Sequence, residues 1–83
     1  YKRQVVNDEK LMEEAEKLAK KLAKGPTKAY GAVKKLLSKT FEQPLEAQLD
    51  DESRHIPAMA ASDDGREGLD AFLNKRKPSF KGK

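Results

Sequence analysis

The sequence predicts an all-α chain of three to four amphipathic helices. Two observations carry this. Apolar residues recur at three- and four-residue spacing in successive stretches, the mark of one buried helical face. No stretch shows the apolar–polar alternation of a half-buried strand, and no segment repeats at a fixed period.

The chain opens on Tyr1 and the apolar pair Val5-Val6, which read as the end of a core strand or a linker over residues 1–7, as if the chain began in mid-fold. Asn7 and Asp8 are good helix N-caps, because a short polar side chain can accept from the orphan amides of a first turn. Behind them Leu11, Ala15, Leu18, Ala19 and Leu22 form the stripe of a first helix over about 8–24. Lys20, Lys21 and Lys24 complement its C-terminal dipole. Gly25-Pro26 then stops it, with glycine expected to supply a left-handed exit and proline unable to continue the ladder.

Pro26 also suits the first turn of a second helix over 26–39. Ala29, Val33, Leu36 and Leu37 would face inward there, with Lys28, Lys34, Lys35 and Lys39 outward. A third helix is expected from Pro44 through Leu45, Leu49 and Ile56 to Met59 or Ala60, acidic in its first half at Glu46, Asp50, Asp51 and Glu52. Pro57 should kink or end it near Ile56, unless it opens a separate short turn, since proline removes a donor and crowds the preceding turn. The fourth helix starts at Ser62 or Asp63, carries Leu69, Phe72 and Leu73 on one face, and ends around Arg76 before Pro78. Residues 77–83 form a basic tail, extended or disordered.

Composition narrows the function classes. The chain has no cysteine, which excludes disulfides and thiolate metal sites. Its apolar runs are far shorter than the roughly 20 residues needed to cross a bilayer, and no signal-peptide pattern is present. The expectation is a soluble, cytoplasmic protein. With 39% charged and 36% apolar residues, any core must come from concentrating the apolar ones on faces. Only 83 residues are available, so much of that apolar surface is expected to belong to a partner. The net charge of +4 is local, five of eighteen basic residues lying between Lys75 and Lys83.

Few constellations carry chemistry. The one histidine, His55, lies three and four residues after Glu52 and Asp51, which on a helix sets an imidazole beside carboxylates. A metal needs more ligands than that. Ser38, Ser53, Ser62 and Ser79 fit no nucleophile motif, and Gly25, Gly31, Gly65 and Gly68 form no phosphate-cradling loop. The acids Asp50-Asp51-Glu52 and Asp63-Asp64 read as a solvated face and as complements of the helix dipole. The basic end differs. Lys75, Arg76, Lys77 and Lys81 lie beside Phe72 and Phe80, cations for phosphate beside aromatic faces for a base. From the residues alone the favoured reading is a helix end with two core phenylalanines; a nucleic-acid-binding tail is disfavoured, since the acidic stretches nearby would oppose it.

The run Asp64-Gly65-Arg66-Glu67-Gly68-Leu69-Asp70-Ala71-Phe72-Leu73-Asn74-Lys75-Arg76-Lys77-Pro78-Ser79-Phe80 resembles the C-terminus of the enoyl-CoA hydratase/isomerase, or crotonase, family. Val5-Val6 with the following helix to Gly25-Pro26, Lys34, and the stretch from Pro44 to Glu52 are similar to the same family, so the likeness covers essentially the whole chain. Gly65 stands where alanine is more usual, Thr27 replaces a second proline, and Pro57 interrupts a helix that usually runs on.

The resemblance implies that the chain is the C-terminal helical region of a crotonase-type fold whose spiral ββα core is absent, serving oligomerisation and capping coenzyme A. It implies acyl-CoA thioester substrates in fatty-acid or aromatic-acid degradation, and a parent enzyme assembled as a trimer or a dimer of trimers, with no nucleic-acid or membrane partner. No prosthetic group is implied; the only cofactor is the coenzyme A moiety of the substrate. The oxyanion hole and catalytic carboxylates of such enzymes lie upstream of this region, so no catalytic residue is assigned here and the segment alone should be inactive. Carried over by motif position, Phe72 and Lys75 contact the adenine and the phosphates of coenzyme A. The competing expectation is a free-standing helical module that docks on a protein partner through its exposed stripes.

Overall fold

A computed structural model describes residues 5–83, in which a 3₁₀ turn (Asp8–Lys10) leads into α1 (Leu11–Ala23), followed by α2 (Thr27–Lys39), α3 (Leu45–Ala60) and α4 (Asp63–Leu73). The described residues contain no strand, and the all-α expectation holds. Part of the 1–7 segment lies outside the described residues; Val5 to Asn7 have no regular structure and Val5 is exposed.

Each helix begins and ends for a local reason. The Asn7 carbonyl accepts the Lys10 amide at 2.9 Å, but the Asn7 side chain makes no capping bond, so the first turn closes through backbone alone. At the other end of α1 the Gly25 amide donates to the Leu22 carbonyl at 3.0 Å. Gly25 is not left-handed there, since Gly82 is the only glycine with positive φ among the described residues. Its role is steric: a Cβ at Gly25 would lie 2.7 Å from Cε2 of Tyr30. Pro26 and Pro44 sit just before α2 and α3 rather than in their first turns.

Pro57 does not end α3. The helix runs on to Ala60, and the Ala61 amide still reaches the Pro57 carbonyl at 2.9 Å. The lost donor falls in the last turn, where only the Ser53 carbonyl goes without its partner. The local cost there is below the roughly 3 kcal/mol of a mid-helix proline, and α3 packs on α2 at one side and α4 at the other. Polar groups brace the first of these contacts. Buried Gln48 donates to Glu52 at 3.1 Å and accepts from Gln43 at 2.6 Å, while Lys39 reaches across to Asp51 at 3.7 Å.

In α4, Ser62 is the N-cap, its hydroxyl oxygen accepting the Gly65 amide at 3.0 Å. The helix ends at Leu73, three residues short of Arg76. Lys75 turns left-handed, with φ 52°, and two crossed bonds close the end: Arg76 amide to Ala71 carbonyl at 2.9 Å and Lys75 amide to Phe72 carbonyl at 3.2 Å. This is the Schellman arrangement, with lysine in the place glycine usually takes. Pro78 is not what stops the helix.

The helices do not enclose a core. Ala32 and Ala71 are the only buried apolar residues among those described, and α1 makes no substantial packing contact with α2, α3 or α4. The radius of gyration is 16.1 Å, against about 12 Å for a compact chain of this length. Leu18 and Leu22 of α1, Val33 and Leu37 of α2, Ile56 of α3 and Leu69 of α4 all keep large exposed fractions. The stripes exist at helical spacing, but the four helices do not bury them against one another.

Candidate functional site

The basic end of α4 and the tail form one structure. Asp64, expected in solvent, is 4% exposed. Its carboxylate accepts the amides of Lys81 and Gly82, each at 2.7 Å, and its own amide donates to the Lys83 carbonyl at 2.9 Å. One helical turn further on, Glu67 accepts the Ser79 amide at 2.8 Å. Two carboxylates spaced three residues apart share a helix face, and here that face holds the chain end against α4. Gly82 takes φ 75° to make the last bend. Phe80 lies over Gly68, where a Cβ would stand 3.4 Å from its ring, in a cleft also lined by Pro26, Ala29 and Met59.

Arg76 joins the same face. Its Nη1 and Nη2 donate to the two oxygens of Glu67 at 2.6 and 2.7 Å, and Nη2 also donates to Asp70. The bidentate guanidinium, and next the Ser79 amide, hold the Glu67 carboxyl down to about 2 against an ordinary 4.5. Glu67 and then Asp70 raise Arg76 still further above its usual value.

Phe72 and Lys75 stand at this end of α4 as well. Phe72 is 79% exposed, an aromatic ring of the last helical turn left uncovered. Lys75 is exposed and enters no ion pair among the described residues. The two are tied through backbone, the Phe72 carbonyl accepting the Lys75 amide. The arrangement offers an exposed apolar ring and an exposed cation at the same end of the helix, with Lys77 exposed two residues on.

His55 contributes differently from its sequence neighbourhood. Its Nδ1 lies 2.8 Å from the Asp51 carbonyl, so that nitrogen is the donor, while the Asp51 carboxylate turns to Lys39 and Gln43. The ring lines an open groove of about 510 Å³ between α2 and α3, together with Val33, Leu36, Leu37, Ile56 and Met59. Three features escaped the sequence reading: the burial of Asp64, the Glu67–Arg76 pair and the Gln43–Gln48 bridge. The acid-rich start of α4 and the basic run after it were visible, and their charge complementarity was the available signal for the Glu67–Arg76 pair.

The enoyl-CoA hydratase/isomerase family model matches residues 2–83. Among curated proteins, the chain is 42% identical over 80 residues to 1,2-epoxyphenylacetyl-CoA isomerase of Escherichia coli K12, covering 96% of this chain and 30% of that protein. It is 47% identical over 62 residues to a probable enoyl-CoA hydratase of Rhodobacter capsulatus, covering 75% of this chain and 24% of that one. Among solved structures, an enoyl-CoA hydratase of Geobacillus kaustophilus HTA426 superposes with a TM-score of 0.88 at 33% identity, covering 95% of this chain and 30% of its own. The chain thus spans about 30% of the length of relatives such as these, and its four helices keep the arrangement seen in the Geobacillus protein. It belongs to the enoyl-CoA hydratase/isomerase family.

Proposed function

We propose that this chain is the C-terminal helical region of a cytoplasmic enzyme that hydrates or isomerises acyl-CoA thioesters in fatty-acid or aromatic-acid degradation, and that it supplies subunit contacts and part of the coenzyme A site. The observation that carries this reading is the pairing of exposed Phe72 with Lys75 at the closed end of α4, on helices whose apolar stripes lack a core of their own. Phe72 offers an apolar wall to adenine and Lys75 a point charge to phosphate. The unburied stripes fit docking on the remainder of an enzyme and on neighbouring subunits of a trimer or a dimer of trimers. Thioester chemistry, in which backbone amides polarise the carbonyl and carboxylates move protons, belongs to that remainder.

The test is turnover of crotonyl-CoA by the full-length protein that carries this chain, beside the isolated 83-residue chain. The full-length protein is expected to consume the thioester and the isolated chain to leave it unchanged. The groove between α2 and α3 favours a second reading, a free-standing module that binds a partner helix. Absence of thioester chemistry at any chain length would decide for it.

A further inference from the structure

Arg76 stands between Lys75 and Lys77 in the basic run, and by position it is a third candidate for phosphate. Its donors are already engaged. Nη1 bonds Glu67 and the Lys77 carbonyl, at 2.6 and 3.3 Å, and Nη2 bonds Glu67 and Asp70. Of five guanidinium N–H groups, only the one on Nε is left. An approaching phosphate would also meet the carboxylates of Glu67 and Asp70 at this point.

What these bonds do is hold a bend. Lys75 has φ 52°, a state that a residue with a Cβ keeps only when its surroundings determine it. Residues on both sides of Lys75 are fixed: Phe72 and Ala71 accept the crossed amide bonds before it, and Glu67 grips Arg76 and the Ser79 amide after it. We propose that Arg76, locked by Glu67 and Asp70, is a positioning residue that fixes the left-handed turn at Lys75 and so aims Lys75 beside Phe72 at the phosphates and adenine of coenzyme A, taking no phosphate itself. The aiming role rests on the coenzyme A reading above; the lock itself does not. The depressed Glu67 carboxyl agrees with a lock that stays closed across the physiological range.

The experiment titrates coenzyme A into the full-length protein carrying this chain at several salt concentrations, for the unmodified protein and for Arg76→Met, Glu67→Gln and Lys75→Met, with amide exchange of Arg76 and Ser79 followed in parallel. Arg76→Met and Glu67→Gln should each weaken binding on the order of tenfold, as for loss of one charge-assisted bond, and the double variant should be no worse than either single one. Lys75→Met should flatten the dependence of affinity on salt, which reports the count of cations meeting phosphate. Glu67→Gln should speed exchange at Ser79, and the milder Arg76→Lys should restore part of the affinity.

A direct phosphate role for Arg76 predicts the opposite sign for one variant: Glu67→Gln would tighten binding by releasing the guanidinium. That result overturns the proposal, as do unprotected Arg76 and Ser79 amides in the unmodified protein. Protected amides in a protein that binds no coenzyme A would overturn the coenzyme A reading and the aiming role with it, while the lock would stand on the exchange data.

Discussion

Gly65 presses against the backbone carbonyl of Met59, so that the first turn of α4 meets the last turn of α3 with no room for a side chain. A Cβ at Gly65 would also come 2.8 Å from the Ala60 carbonyl. Gly65→Ala is therefore expected to destabilise despite the better helix propensity of alanine. Overpacking costs about 1–3 kcal/mol and propensity returns about 1 kcal/mol at most. Thermal unfolding of the full-length protein checks this, with a lower midpoint expected and an unchanged or higher one contradicting the contact.

Lys75 offers a second stability test, through its backbone rather than its charge. At φ 52°, a β-branched side chain is strained, so Lys75→Val should lower the melting temperature, by an amount corresponding to about 1–2 kcal/mol. Lys75→Gly should be neutral or stabilising, since relief of the bend and the added freedom of the unfolded chain oppose each other. Equal losses for the two variants would show that the cation, not the bend, matters for stability.

The pH dependence has a definite sign. Glu67 is held at about 2 in the fold against 4.5 ordinarily, first by Arg76 and then by the Ser79 amide. A depressed carboxyl contributes stability that is present above the unfolded value and lost as pH falls through the folded one. The strap from Arg76 to Ser79 should thus be intact at pH 5 and above, weaken below about 4.5, and open toward pH 2. Carbon-13 titration of the Glu67 carboxyl would report it; a midpoint near 4.5 would mean the pair with Arg76 is not formed in solution.

The isolated chain should not behave as an ordinary small domain. With α1 unpacked and only Ala32 and Ala71 buried among apolar residues, the helices have too little buried area to offset chain entropy. Sedimentation at several concentrations, with thermal melting, should show either self-association through the exposed stripes or a broad, uncooperative transition. A monomer of constant mass with a sharp melt would contradict this.

How much of this was legible in the sequence depends on the range of the interactions. The helices were, because the spacing of Leu11 to Leu22, Val33 to Leu37 and Leu45 to Met59 is a local signal that survives without a core. The start of α4 at Ser62 or Asp63 was legible for the same reason. The end of α4 was not: lysine is no left-handed signal, and the bend at Lys75 is held by Glu67 reaching forward to Arg76 and Ser79. Nor was the burial of Asp64, whose partners Lys81 and Gly82 come 17 and 18 residues later. Pro57 misled in the opposite direction, because it falls in the last turn of α3, where the ladder loses a single bond. The candidate site was legible as residue types, Phe72 and Lys75, and the turn that brings them to one end of α4 was not.

We propose that this helical segment walls the coenzyme A site of an acyl-CoA enzyme through Phe72 and Lys75. Calorimetric titration of coenzyme A into the full-length protein, unmodified and with Phe72→Ala or Lys75→Met, tests it most directly. Binding in the unmodified protein, weakened on the order of tenfold by each substitution, is the predicted result. Binding that neither substitution alters would contradict the account, as would no binding at all.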